Sequence, residues 1–179
     1  MGCVYFTRHG QTIWNVENKI CGATDIALTQ LGHEQAIALG KEIKKQGLAI
    51  DEILYSPLIR AADTAKHIAA ETGIPCCMEP RLKEQNFGKF ESTARDGAVF
   101  QEAKKQFVNH FEGGETMLHL AQRIYNLLDE IKEKSDEKTY LLVAHNGIAR
   151  VVNSYFYDME NGEYASFGIK NCEIRKYQF

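Results

Sequence analysis

The chain predicts an α/β fold, a three-layer α/β/α sandwich in which helices cover both faces of a mostly parallel sheet. Short β-branched or aromatic runs alternate with longer stretches of helical apolar spacing, the alternation that builds strand–helix–strand units. Several of the strand-like runs end on polar, chemistry-bearing residues: Arg8-His9 after the first, Ser56 leading to Arg60 after the second, and His145-Asn146-Gly147 after the fourth. The 179 residues are 44% hydrophobic and 25% charged, enough for one domain with a buried core and unlike a disordered or low-complexity chain.

Val4 to Thr7 reads as a buried strand running into a loop at Arg8-His9-Gly10. Thr29 caps a helix to about Gln46, with Ala36, Leu39, Gly40 and Ile43 on one face and Gly47 as its stop. Glu52 to Tyr55 is the second strand. Ser56-Pro57 gives an N-cap followed by proline at the first helical position, and Leu58, Ala61, Ala65, Ile68 and Ala69 continue that helix until Gly73. A third strand is expected over 74–78, and Thr116 opens a periodic helix through Leu120, Ile124, Leu127, Leu128 and Ile131. Tyr140 to Ala144 is the fourth strand, and a helix starting near Gly147 carries Val151, Val152 and Tyr155. The tail from Cys172 to Phe179 supplies an edge strand. Residues 84–114 are the least regular, with Gly88, Gly97, Gly113 and Gly114 around a helix from Ala98 to Phe107. They are expected as a lid or insertion, at about 85–115, within one domain spanning 1–179.

The net charge is −3 and the basic residues form no long run, which argues against a nucleic-acid partner. Five cysteines without Cys-x-x-Cys spacing fit free thiols in a reducing compartment better than disulfides or zinc. The first six residues give way quickly to polar sequence, too short for a signal peptide or membrane span, so a cytoplasmic protein is expected. His33, His67, His110 and His119 lie in or beside amphipathic helices without partners at metal-ligand spacing. Cys76 and Cys77, adjacent in a strand, point to opposite faces. Cys21 reads as a packed thiol near the mouth of a pocket.

Ligands of open α/β sheets bind beyond the carboxyl ends of the strands. Two arginines, two histidines and a helix N-terminus gathered there form a positively polarised bowl suited to a tetrahedral dianion. A histidine between arginines is kept neutral by like charge, so His9 is the candidate nucleophile, provided an acceptor holds its other ring nitrogen. Singly, each residue has a plainer reading: His9 or His145 hydrogen-bonded at a strand end, Arg60 a solvated cation, Asn15 a turn residue, Glu84 a surface carboxylate. Their co-occurrence points to a site.

Thr7-Arg8-His9-Gly10-Gln11-Thr12-Ile13-Trp14-Asn15 resembles the signature of the histidine phosphatase superfamily, in its phosphoglycerate-mutase-like branch. The resemblance continues, in the family's order, through Gly22 to Ala36, Tyr55 to Ala61, Leu82-Lys83-Glu84 and Ala144-His145-Asn146-Gly147. It implies that His9 accepts the phosphoryl group as a phosphohistidine, that Arg8, Arg60 and His145 hold the equatorial oxygens, and that Asn15, Gly22 and Asn146 contact substrate. It makes Glu84 the proton donor to the leaving oxygen and then the base for water. The scheme needs no metal and no cofactor. The partner implied is a small phosphorylated metabolite: a sugar phosphate, a phosphoglycerate, a nucleoside monophosphate or a ribazole phosphate.

Two departures bear on substrate fit. Gly88-Lys89-Phe90-Glu91-Ser92 stands where the family often has tryptophan–glutamate–glycine, and Asn146 stands where glycine is common. Related mutases carry a longer segment with an arginine pair after the glutamate. Here Arg95, Lys104 and Lys105 stand without such a pair, so a grip on a second phosphate is expected to be missing and hydrolysis is favoured over isomerisation. The alternatives are mutase-type phosphoryl transfer and a non-catalytic module that binds a phosphorylated ligand.

Overall fold

The computed structural model describes residues 2–179. In chain order the strands are β1 (Cys3–Arg8), β2 (Glu52–Tyr55), β3 (Cys76–Met78), β4 (Tyr140–Ala144) and β5 (Ile174–Gln178). The helices are α1 (Ile13–Val16), α2 (Gln30–Gln46), α3 (Ile59–Thr72), α4 (Ala98–Ala103), α5 (Met117–Lys134), α6 (Asn146–Phe156) and α7 (Asn161–Ser166). One sheet runs β3-β2-β4-β1-β5; its strands are parallel except β5, which pairs antiparallel with β1. The fold class is the expected one.

Alternation along the strands divides the core between the two faces of the sheet. Val4 and Phe6 of β1 and Leu142 and Ala144 of β4 pack with Leu120, Ile124 and Leu128 of α5 and with Ile148 and Val152 of α6. Tyr5, Leu141 and Val143 face the other way, against Leu39 and Ile43 of α2 and Ala61, Ala65 and Ile68 of α3. All five residues of β4 are buried, as its apolar run and position between β1 and β2 require.

Local chemistry sets the helix ends. Thr29 accepts from Gly32 N and Thr116 from His119 N, capping α2 and α5. Gly47 and Gly73, with φ of 60° and 76°, end α2 and α3 in the left-handed conformation that glycine adopts without strain. The start of α3 departs from expectation: the cap is Leu58, and Ser56 lies outside the helix, its hydroxyl accepting from Leu58 N. α4 ends at Ala103, short of Phe107, and β3 has only three residues. The short helices α1 and α7 lack the length that makes a period legible.

Residues 85–115 carry their own aromatic cluster, in which Phe87, Phe90, Phe100 and Phe111 pack with Ile20. Among the described residues no helix is long and apolar enough to cross a membrane.

Candidate active site

Parallel pairing brings three strand ends to one edge. His9 N donates to Ala144 O at 3.0 Å and Ser56 N to Val143 O at 3.1 Å, so His9, Ser56 and His145 emerge side by side. The rings of His9 and His145 lie 5.2 Å apart, centroid to centroid. His9 Nδ1 is 2.7 Å from the carbonyl oxygen of Gly10. A carbonyl only accepts, so Nδ1 carries the proton and Nε2 keeps its lone pair. Burial, followed by the Arg60 and Arg8 charges, holds this imidazole well below the ordinary histidine pKa, which keeps it neutral. The sequence points to like charge as the cause; burial is the larger one. His145 is likewise held neutral, by burial first and then Arg60. Its Nε2 is 2.6 Å from Ser56 Oγ, and its buried Nδ1 has no hydrogen-bond partner among the described residues.

Arg8, His9, Asn15, Glu84, Asn146 and Gly147 line one cavity of about 320 Å³, at the small end for small-molecule sites. Arg8 donates through Nη1 to Ile169 O at 2.8 Å. Burial, with Arg95 next, lowers its pKa to about 10, so it stays charged at neutral pH. The Asn15 side-chain oxygen accepts from Thr12 N and from Asn171 Nδ2, and Asn171 also donates to His9 O at 2.8 Å. The Asn146 oxygen accepts from Ile169 N.

Glu84 is buried and accepts from Gln85 N at 2.9 Å and Gly147 N at 2.8 Å, which seats its carboxylate on the first turn of α6. Position 147 must be glycine for this seat, because a Cβ there would overlap the Glu84 carboxylate.

Three expected residues, His145, Arg60 and Gly22, stand apart from the cavity wall. The His145 ring packs beside that of His9. Arg60, fully buried, donates to Thr24 O at 2.8 Å and Gly22 O at 2.7 Å. Its charge acts on His9 from behind. Gly22 belongs to the loop that holds Arg60, and a side chain there would collide with Gln85 and Glu91, so its place here is in a brace and not in the wall.

Five further residues belong to the site. Ser56, expected as a helix cap, orients His145. Glu91 braces the loop of Gly22. Arg95 and Lys104 line the cavity, as does Arg150, which the sequence reading passes over. The cavity has no adjacent arginine pair; its further cations come singly from separate segments, α6 included. The signal for Arg150 was present, since it lies four residues after Asn146 on α6, on the same face, in an otherwise apolar stretch. No cluster of three or more His, Cys, Asp or Glu suited to a metal occurs among the described residues.

This fold, with a neutral strand-end histidine beside arginines and an opposed carboxylate, defines a phosphoryl-transfer site. The model of the histidine phosphatase superfamily (branch 1) matches residues 4–179, and the chain belongs to that family. It is 32% identical over 183 residues to the probable phosphoglycerate mutase GpmB of Yersinia pestis (strain Pestoides F), covering 98% of this chain and 84% of that protein. Among solved structures, phosphoserine phosphatase from Entamoeba histolytica in complex with 3-phosphoglyceric acid is 28% identical with a TM-score of 0.85, covering 100% of this chain and 91% of that one. A mycobacterial glucosyl-3-phosphoglycerate phosphatase complexed with VO3, 24% identical with a TM-score of 0.84 over 98% of this chain and 90% of that one, shares the fold.

Proposed function

We propose that the protein hydrolyses the phosphomonoester of a small metabolite through a phosphohistidine. The observation that carries this reading is the Nδ1–Gly10 hydrogen bond, which fixes His9 as the tautomer with a free Nε2 lone pair inside a cationic cavity. Nε2 attacks phosphorus, a P–N bond forms and the ester P–O bond breaks. Glu84, protonated in the substrate complex, gives its proton to the departing oxygen. Water then attacks the phosphohistidine, Glu84 takes its proton, and the P–N bond breaks to release inorganic phosphate and restore His9. Arg8 and Arg60 stabilise the charge that spreads over the equatorial oxygens, and His145 and Asn15 offer neutral donors. Residues 85–115, which supply Phe87, Phe100 and Lys104 to the cavity, choose the alcohol. The phosphatase activities named for the structural neighbours favour hydrolysis over isomerisation. A cytoplasmic setting fits the five free thiols.

The test is release of phosphate from p-nitrophenyl phosphate in the presence of a chelator, with rapid alkaline quench to trap the acid-labile phosphohistidine. Wild type is expected to turn over and to carry the adduct; His9→Ala is expected to do neither. Vanadate, which mimics five-coordinate phosphorus, is expected to inhibit. Tight phosphate binding without turnover of a broad ester panel would instead identify a binding module. Conversion of 3-phosphoglycerate to 2-phosphoglycerate without phosphate release would identify a mutase.

A further inference from the structure

The cavity holds more positive charge than one phosphoryl group uses. Arg8 and the Arg60 charge behind His9 serve the phosphate, and beyond them Arg95, Lys104 and Arg150 line the same space. Glu84 is the only carboxylate among the residues that line it, and it is neutral when it acts as the acid. Arg150 is the most telling of the three. It is only 7% exposed, its Nε is buried without a partner, and its guanidinium makes no hydrogen bond or ion pair among the described residues. An unpaired buried cation is expensive, and Arg150 is the one charged residue of α6. Lys104 has only the face of Phe100 beside its ammonium, 5.6 Å from the ring centre. Arg95 is anchored by donation from Nη2 to Lys19 O. The three cations also work against one another. Burial, then Arg150 and Arg95, lower Lys104 to about 8, and Arg150 adds to the burial that lowers Arg95. Protein groups do not resolve this crowding, whereas a ligand anion would.

We infer that Arg150 and Lys104, with Arg95 at their flank, form a second anion subsite, so that the substrate is a short phosphorylated acid whose second anionic group, a carboxylate or another phosphate, seats there while its phosphoester faces His9. This rests on the hydrolase reading for the phosphoester end. The planar guanidinium of Arg150 offers a two-pronged grip on either anion, and Lys104 adds a point charge. Phe87, Phe100 and Phe167 wall the same cavity, whose size suits a backbone of a few carbons.

A matched pair of substrates tests it. Glycerol 3-phosphate and 3-phosphoglycerate differ in one place, a neutral CH2OH against a carboxylate, and glycerol 1,3-bisphosphate supplies a second phosphate instead. Wild type is expected to favour one of the two dianchored compounds over glycerol 3-phosphate by about 100-fold or more in kcat/KM, and which one it favours names the second anion. Arg150→Gln and the more exposed Lys104→Gln are each expected to erode that preference at least tenfold, chiefly through KM, and Arg150→Lys to restore part of it. Equal use of all three compounds by wild type would overturn the subsite. So would variants that lose the same factor on every substrate, including p-nitrophenyl phosphate. The two readings fail separately. If no ester is hydrolysed, calorimetric binding of 3-phosphoglycerate, glycerol 1,3-bisphosphate and glycerol 3-phosphate to wild type and Lys104→Gln still decides the subsite. If p-nitrophenyl phosphate is hydrolysed without a preference for a second anion, only the subsite falls.

Discussion

Glu91 and Arg60 grip the same loop from opposite sides without touching each other. The Glu91 carboxylate accepts from Gly22 N and Ala23 N, both at 3.0 Å, and from Thr24 Oγ1 at 2.8 Å. The Arg60 guanidinium donates to Gly22 O and Thr24 O. The N–H groups of the segment thus go to the half-buried anion and its carbonyls to the fully buried cation. Glu91 also accepts from Phe87 N at 3.1 Å, which ties residues 85–91 to the same brace.

Removing the brace should therefore be felt at His9. Glu91→Gln cannot accept all four bonds, and a loss of about 1–3 kcal/mol in stability is expected, from hydrogen bonds to a charged group. If Arg60 shifts as the loop loosens, its hold on the His9 imidazole weakens and the His9 titration, followed by NMR, moves upward. A fall in kcat of about 10- to 100-fold is expected alongside it. Lower stability with an unmoved titration and wild-type kcat would make Glu91 a purely structural residue.

Gly147 carries the second prediction. Its N–H holds the Glu84 carboxylate, and any side chain would occupy that carboxylate's place. Gly147→Ala should displace the acid without touching His9. General acid catalysis matters most when the leaving group is poor, so the loss should be about 10²-fold or more on an alkyl phosphate and much smaller on p-nitrophenyl phosphate. Glu84→Gln should share this signature. Equal losses on both esters would separate Glu84 from proton transfer.

Most of the fold was legible because its signals are local. Thr29, Gly47, Gly73 and Thr116 stand where helix ends need them, and the apolar run of β4 announces a strand buried on both faces. The strand-end placement of Arg8, His9 and His145 followed from the same reading. What escaped depends on long-range partners. Ser56 looked like a cap by its proline neighbour, yet tertiary contact with His145 lies outside anything the local sequence encodes. Arg60 looked like a phosphate ligand, and only the folded loop reveals that its terminal nitrogens are engaged by backbone carbonyls 36 and 38 residues away. In the sequence Glu91 stands within a departure in substrate fit, and nothing local reveals its loop partners, which lie nearly 70 residues back.

The two neutral imidazoles make stability depend on pH. His9 and His145 have folded pKa values depressed well below 6.5, chiefly by burial, so below pH 6.5 the unfolded chain binds protons that the folded chain refuses. Their contribution is complete above pH 6.5 and is lost as pH falls beneath it, by up to about 1.4 kcal/mol per pH unit for each ring. Urea unfolding at pH 7.5, 6.5 and 5.5 should show this slope. His145→Gln should reduce it by roughly half of the two-histidine contribution. A wild-type slope retained in His145→Gln would mean that this ring is free to charge in the folded state.

Lys104 gives the second anion subsite a pH signature that no other group in the cavity shares. Its pKa is about 8, below the ordinary lysine value because of burial and the Arg150 and Arg95 charges, while Arg8 at about 10 stays protonated well above that. Below pH 8 Lys104 is an ammonium and attracts a second substrate anion; as pH rises through 8 it becomes a neutral amine and that attraction is lost. The preference for the favoured two-anion substrate over glycerol 3-phosphate should therefore decline through a midpoint near pH 8 and level off at the part that Arg150 and Arg95 sustain. Taking the ratio of kcat/KM values at each pH cancels groups that act on the shared phosphoester, His9 and Glu84 included, and reports the free enzyme. Lys104→Gln should flatten the profile at the lower level. A midpoint near 8 that persists in that variant would assign the ionisation to another group and remove Lys104 from the subsite.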